Sequence, residues 1–129
     1  MLTRNLLIPV AVVAAVFVGS SAARADEALA KQGKKVFNKC KICHEIAKEK
    51  NKLGPHLVGI MGRKAGSVEG FKYSKAMKDS KVVWDETSID AYVTKPKKFI
   101  PGNKMAFAGI KSEKQRKALL EYIKSAAKK

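Results

Sequence analysis

The chain has 129 residues, room for one domain, and its 27 Lys and Arg outnumber its 11 Asp and Glu for a formal net charge of +16. Such a charge asks for an anionic partner: a nucleic acid, an anionic membrane or an acidic protein surface. Two cysteines and two histidines are the whole supply of soft metal ligands apart from methionine, which leaves little for a structural zinc site of four sulfur or imidazole ligands.

The N-terminal segment does not read as part of a domain. Arg4 gives a basic start, residues 6–18 form one apolar run, and Ala23 and Ala25 sit where a signal peptidase expects small residues. That run is short against the roughly 20 residues that span a bilayer. The expectation is a signal peptide, residues 1–25, cleaved after Ala25, and a domain over 26–129. Cleavage removes Arg4 and Arg24 and no acid, so the positive excess persists. Export argues against nucleic acid as the partner.

Asp26 is placed to cap a first helix, on which Leu29, Gly33, Val36, Phe37 and Cys40 recur at helical spacing. The stripe runs directly into Cys40-Lys-Ile-Cys43-His44. Residues 51–70 hold Gly54, Pro55, Gly59, Gly62, Gly66 and Gly70, a composition for loop. Short helices are expected over 74–79 and 87–94, the second opened by a capping-box-like Thr87-Ser-Ile-Asp90 and stopped by Pro96. A second loop is expected over 95–109. Ser112-Glu-Lys-Gln115 reads as a capping box opening a last helix with Leu119, Tyr122, Ile123 and Ala126 on one face. No segment alternates with a period of two, so the class is all-α with long glycine-rich loops.

Three chemistries fit a C-x-x-C-H stretch. A zinc site lacks a second C-x-x-C, and only His56 is left as a fourth ligand. A thioredoxin-like dithiol belongs at the start of a helix after a strand, whereas this motif follows a helix. A disulfide between residues three apart closes a tiny loop and gains little. Haem attachment uses two thiols at this spacing with an imidazole next to the second. Export, the absence of other cysteines and a choice of downstream ligands favour it. The second ligand could be His56, Met61, Met77 or Met105. Core filling is the ordinary role of a methionine and suits Met61 and Met77, while His56 has an ordinary place in a loop. Met105 lies in a loop stiffened by Pro96 and Pro101 and flanked by Gly102 and Gly109, which favours it as a fixed ligand.

The motif, "GPHLVGIMGRKAG" at 54–66, "GFKYS" at 70–74 and "VVWDETSIDAYVTKPKKFIPGNKMAFAGI" at 82–110 together resemble class I cytochrome c, in its mitochondrial and closely similar bacterial c2 form. The resemblance implies a class I cytochrome c fold: first and last helices crossing at Gly33, Phe37 and Tyr122, with long loops wrapped around one covalent haem c. It implies thioethers at Cys40 and Cys43, and His44 and Met105 as axial ligands. The Pro55 carbonyl would orient the His44 ring. Arg63, Tyr73 and Trp84 would sit near a buried propionate, Tyr92 near the methionine sulfur, and Phe107 over the methionine side of the haem edge. Lys39, Lys41, Lys52, Lys97, Lys98, Lys104 and Lys111 would surround that edge. His56, Met77 and Asn103 depart from the mitochondrial pattern.

The implied function is that of a periplasmic, monomeric one-electron carrier and not an enzyme. With both axial positions filled, the iron can change charge without exchanging ligands, and histidine–methionine ligation raises its potential. By resemblance, the donor is a cytochrome bc-type complex and the acceptor a photosynthetic reaction centre or terminal oxidase, each offering an acidic docking surface. Nucleic acid is not expected as a partner.

Overall fold

A computed structural model describes residues 20–129. The apolar run of the expected signal peptide lies outside the described residues. Helix α1 (Ser20–Phe37) is followed by a long loop region, then α2 (Lys75–Asp79), α3 (Glu86–Thr94), α4 (Pro96–Phe99) and α5 (Glu113–Ala126). Among the described residues the only β pairing is an isolated bridge between Lys64 and Val83. The expected all-α class is what the chain forms. No described helix is long and apolar enough to cross a membrane.

The fold is organised by α1 against α5. The sequence stripe puts Gly33 and Phe37 on the buried face of α1, and α5 answers with Ala118, Leu119, Leu120 and Ile123. Leu119 is fully buried. Each such aliphatic side chain removed from water contributes about 1.5–3 kcal/mol. At Gly33 the two backbones come so close that a Cβ would lie 1.8 Å from the Ala118 carbonyl oxygen and 2.8 Å from Tyr122 Cβ. Phe37 and Tyr122 then pack at 5.3 Å between ring centroids. The expected crossing at Gly33, Phe37 and Tyr122 is present.

Several helix ends differ from the sequence reading. Asp26 does not cap α1, which already runs from Ser20, because Ala22, Ala23, Arg24 and Ala25 are strong helix formers. Helix α3 starts at Glu86 rather than Thr87. Its cap is Asp85, whose carboxylate accepts from Ser88 N at 2.7 Å while Ser88 Oγ accepts from Asp85 N at 2.8 Å. The reciprocal pair is thus Asp85 with Ser88, not Thr87 with Asp90. Pro96 does end α3, but it also opens α4, since a missing N–H costs nothing at the first helical position. The first residues of the expected 95–109 loop are therefore helical. Ser112 caps α5 as expected, accepting from Gln115 N.

Arg116 on α5 joins these pieces. It donates to Asp90 Oδ1 on α3 at 2.8 Å and to the carbonyls of Ile110 and Lys111 at 3.0 and 2.9 Å. The chain enters that junction at Gly109, where φ is +110° and a Cβ would stand 2.1 Å from the Thr94 carbonyl oxygen. The end of the 100–110 segment is thereby clamped between α3 and α5. Gly33→Ala tests the crossing. The alanine would gain about 1 kcal/mol of helix propensity, but the clash outweighs it, and denaturant titration of the holoprotein should show a net loss of about 1–3 kcal/mol.

Candidate functional site

The end of α1 runs into a further helical turn. Cys40 N and Lys41 N donate to Phe37 O, and Cys43 N and His44 N donate to Cys40 O. One turn therefore carries Cys40, Cys43 and His44. Both cysteines are free thiols, partly buried. Burial pushes the Cys40 thiol up to about 11, against the opposing pull of the Lys39 charge. A redox dithiol needs the opposite shift. Among the described residues no group of three or more His, Cys, Asp and Glu side chains is arranged to hold a metal ion by itself.

The following loop folds back over this turn. Gly54 N donates to Cys43 O at 2.8 Å and Leu57 N to Glu45 O at 2.7 Å. That path brings the Pro55 carbonyl to 2.7 Å from His44 Nδ1. A carbonyl only accepts, so Nδ1 carries the proton and donates, and Nε2 keeps its lone pair. Burial lowers the His44 pKa, the Pro55 bond opposes that, and the Arg63 and Lys52 charges add to the lowering. The imidazole is therefore neutral near pH 7, the form that ligates a metal. Gly54 lies flat against it: a Cβ there would be 2.4 Å from His44 Cε1.

Arg63, Tyr73 and Trp84 gather behind the loop. Arg63 donates to the carbonyls of Val58 and His56 at 3.1 and 3.0 Å. Among the described residues it pairs with no carboxylate. Tyr73 Oη accepts from Val68 N at 3.1 Å. Burial raises the Tyr73 pKa, while the Val68 bond and the Arg63 charge lower it. Trp84 is buried and packs on Tyr92 at 5.0 Å between centroids. A half-buried guanidinium without an acid beside it suits a buried anionic group, and a haem propionate is one. Free thiols on one turn, an imidazole with its ring nitrogen aimed by Pro55 and this cation together fit a covalently held haem.

The Met105 side is built by α3, α4 and the loop after them. Met105 and Phe107 are partly buried and pack against the same apolar cluster as Cys40, Phe99, Trp84 and Tyr92. Burial raises the Tyr92 phenol to about 12. The Tyr92 hydroxyl, which the resemblance puts near the methionine sulfur, donates to Asn103 Oδ1 at 3.3 Å. Asn103 also donates to the Pro96 and Ile100 carbonyls and accepts from Met105 N. The sequence marks Asn103 only as a departure. An uncharged polar residue two positions before Met105, in a loop whose other polar side chains are lysines, is the one signal of this role.

The other candidate ligands are differently placed. Met77 is buried in the core, as a filler should be. Met61 is not core: it is 36% exposed on the surface turn at Gly62. His56 is half-buried in its loop, held through its N–H to Asn51 Oδ1 and its carbonyl to Arg63. All seven lysines of the sequence reading, Lys39, Lys41, Lys52, Lys97, Lys98, Lys104 and Lys111, are exposed.

The family model described as cytochrome c matches residues 30–127. Cytochrome c2 iso-2 of Magnetospirillum molischianum is 47% identical over 69% of this chain and 92% of its own. Cytochrome c-550 of Nitrobacter winogradskyi is 49% identical over 70% of this chain and 84% of its own. Among solved structures, cytochrome cH from Methylobacterium extorquens superposes with a TM-score of 0.71 at 40% identity, covering 74% of this chain and 97% of that one.

Proposed function

The chain belongs to the cytochrome c family, and on that premise we propose that it carries single electrons with His44 and Met105 as the two protein ligands of one haem iron. The family's covalent c-type haem is matched by Cys40 and Cys43 in the C-x-x-C-H motif. Bound there, the haem supplies an iron that takes up and gives back one electron.

The observation that carries the ligand assignment is the His44–Pro55 hydrogen bond. It fixes the tautomer and the ring plane, which makes Nε2 a better donor. Gly54 leaves no room for the ring to tilt toward the loop. Arg63 and Tyr73 offset the charge of a buried propionate, and Trp84 adds an indole N–H and an apolar wall. Met105 offers a neutral, polarisable sulfur, which favours the reduced iron. Phe107 keeps water from the Met105 side. Tyr92, with its proton committed to Asn103, adds bulk without adding charge.

Docking follows from the charge. The exposed lysines flank the motif and the Met105 loop. Two lie along the backbone: Lys52 Nζ donates to Lys41 O at 2.6 Å and Lys97 Nζ to Asn103 O at 2.5 Å. Ile42 and Leu53 stand 69% and 79% exposed in the same stretch of chain as Lys41 and Lys52. An apolar contact edged with positive charge suits a brief encounter with an acidic surface. The donor is a bc-type quinol-oxidising complex and the acceptor a photosynthetic reaction centre or terminal oxidase. The protein works as a monomer in the periplasm, delivered by the signal peptide over 1–25.

Two measurements test this reading. A protein with both ligand positions filled should bind carbon monoxide only slowly when native and reduced, and rapid binding would identify an open-site enzyme or sensor instead. Electron transfer from a purified bc-type complex should slow steeply between low and physiological ionic strength. A flat salt profile would remove lysine steering from the account.

A further inference from the structure

We propose that Asn103 is a positioning residue that keeps Met105 in place by tying the ligand's own amide to the α4 turn. The role rests on the proposed ligation by Met105. Asn103 is 3% exposed, one of two buried polar residues in the chain's described part. All of its side-chain hydrogen-bonding capacity is used. Nδ2 donates to Pro96 O at 2.9 Å and to Ile100 O at 2.7 Å. Oδ1 accepts from Met105 N at 2.9 Å and from Tyr92 Oη at 3.3 Å. The amide orientation is unambiguous, because nitrogen faces two carbonyls and oxygen faces two donors.

These partners belong to three different pieces of the fold. Pro96 and Ile100 are the start and C-cap of α4, Tyr92 lies on α3, and Met105 is in the loop. Pro96 is fully buried and its carbonyl also accepts from Ile100 N at 3.0 Å, so the acceptor that receives Asn103 is already tied into the α4 turn. The loop also rests on α2, where a Cβ on Gly102 would come within 3.1 Å of Ala76 Cβ. Lys97 reaches over to the Asn103 carbonyl from α4. A loop residue that satisfies four neighbours at once cannot move without breaking several bonds together.

The functional consequence concerns local opening. A thioether is a weak neutral ligand, and its hold on a metal depends on how rarely its loop opens. Replacing Asn103 by Ala leaves Met105 N without its acceptor, and it takes one of two donors from the Pro96 and Ile100 carbonyls, which keep Ile100 N and Asn103 N; an unmade bond of this kind is costly. Threonine keeps one acceptor for Met105 N and one donor for a single carbonyl, so it should fall between.

The test uses the haem-loaded protein. Amide exchange at Met105 is followed by nuclear magnetic resonance, and imidazole is titrated into the oxidised protein as an external competitor for the Met105 position. Asn103→Ala should speed Met105 exchange and tighten imidazole binding by about tenfold, with Asn103→Thr intermediate. Ile123→Val on α5 serves as a control that weakens the global fold away from the loop. The proposal is overturned if Asn103→Ala and Asn103→Thr bind imidazole as the parent does, or if Ile123→Val, compared at equal loss of global stability, tightens it as much. Should Asn103→Ala fail to fold, Asn103→Thr alone decides between these results. A parent protein lacking an iron–sulfur charge-transfer band when oxidised would overturn Met105 ligation itself, which is a separate and recognisable failure.

Discussion

One hydrogen bond organises the site: His44 Nδ1 donating to the Pro55 carbonyl. Together with the backbone bonds from Gly54 N to Cys43 O and Leu57 N to Glu45 O, it couples a helical turn that carries both cysteines to the loop that folds back over it. The loop in turn requires Gly54, whose missing side chain lets the backbone reach the ring face. Arg63 then closes the same loop from behind through the carbonyls of His56 and Val58. The result is a neutral imidazole held by backbone rather than by a carboxylate. A nearby acid would have added negative charge at the place where an iron changes its own.

The opposite side is built on a different principle. No single contact fixes Met105. It is held by the way α3, α4 and the loop lock together through a buried amide, with Arg116 and Gly109 clamping the loop's far end. The α1–α5 crossing is the frame for both sides, because α1 leads directly into the cysteine turn and α5 carries Arg116. Tight packing at Gly33 therefore bears on the site although it touches no site residue. The proposed ligand pair would be braced on both faces by these contacts, which suits a centre that must change charge with little rearrangement.

The sequence made some of this legible and hid the rest for identifiable reasons. The faces of α1 and α5 follow a helical period, and Ser112 marks the start of α5, so those elements are legible directly. Helix α3 was read one residue late because Asp85-x-x-Ser88 and Thr87-x-x-Asp90 are overlapping candidates, and the choice depends on which pair can close both bonds. Helix α4 is hidden in the sequence because proline is a stronger signal for stopping a helix than for starting one. Met61 looked like core because methionine usually is, yet it sits on a turn at the surface. The ligand turn was legible as a motif. Its second half, the Asn103 network, was not, since Tyr92 and Pro96 come to Asn103 only through the path of the loop.

The proposed ligation makes His44 and Met105, rather than another of the chain's candidate ligands, the residues that hold the iron. Isotope-labelled methionine methyls in the reduced, diamagnetic holoprotein report on this directly, because a thioether bound to a haem iron lies within the porphyrin ring current. The Met105 methyl alone should move far upfield, with those of Met61 and Met77 near their ordinary positions, and Met105→Ala should abolish the shifted signal. A shifted methyl that assigns to Met61 or Met77, or a reduced protein with no shifted methyl at all, would contradict it.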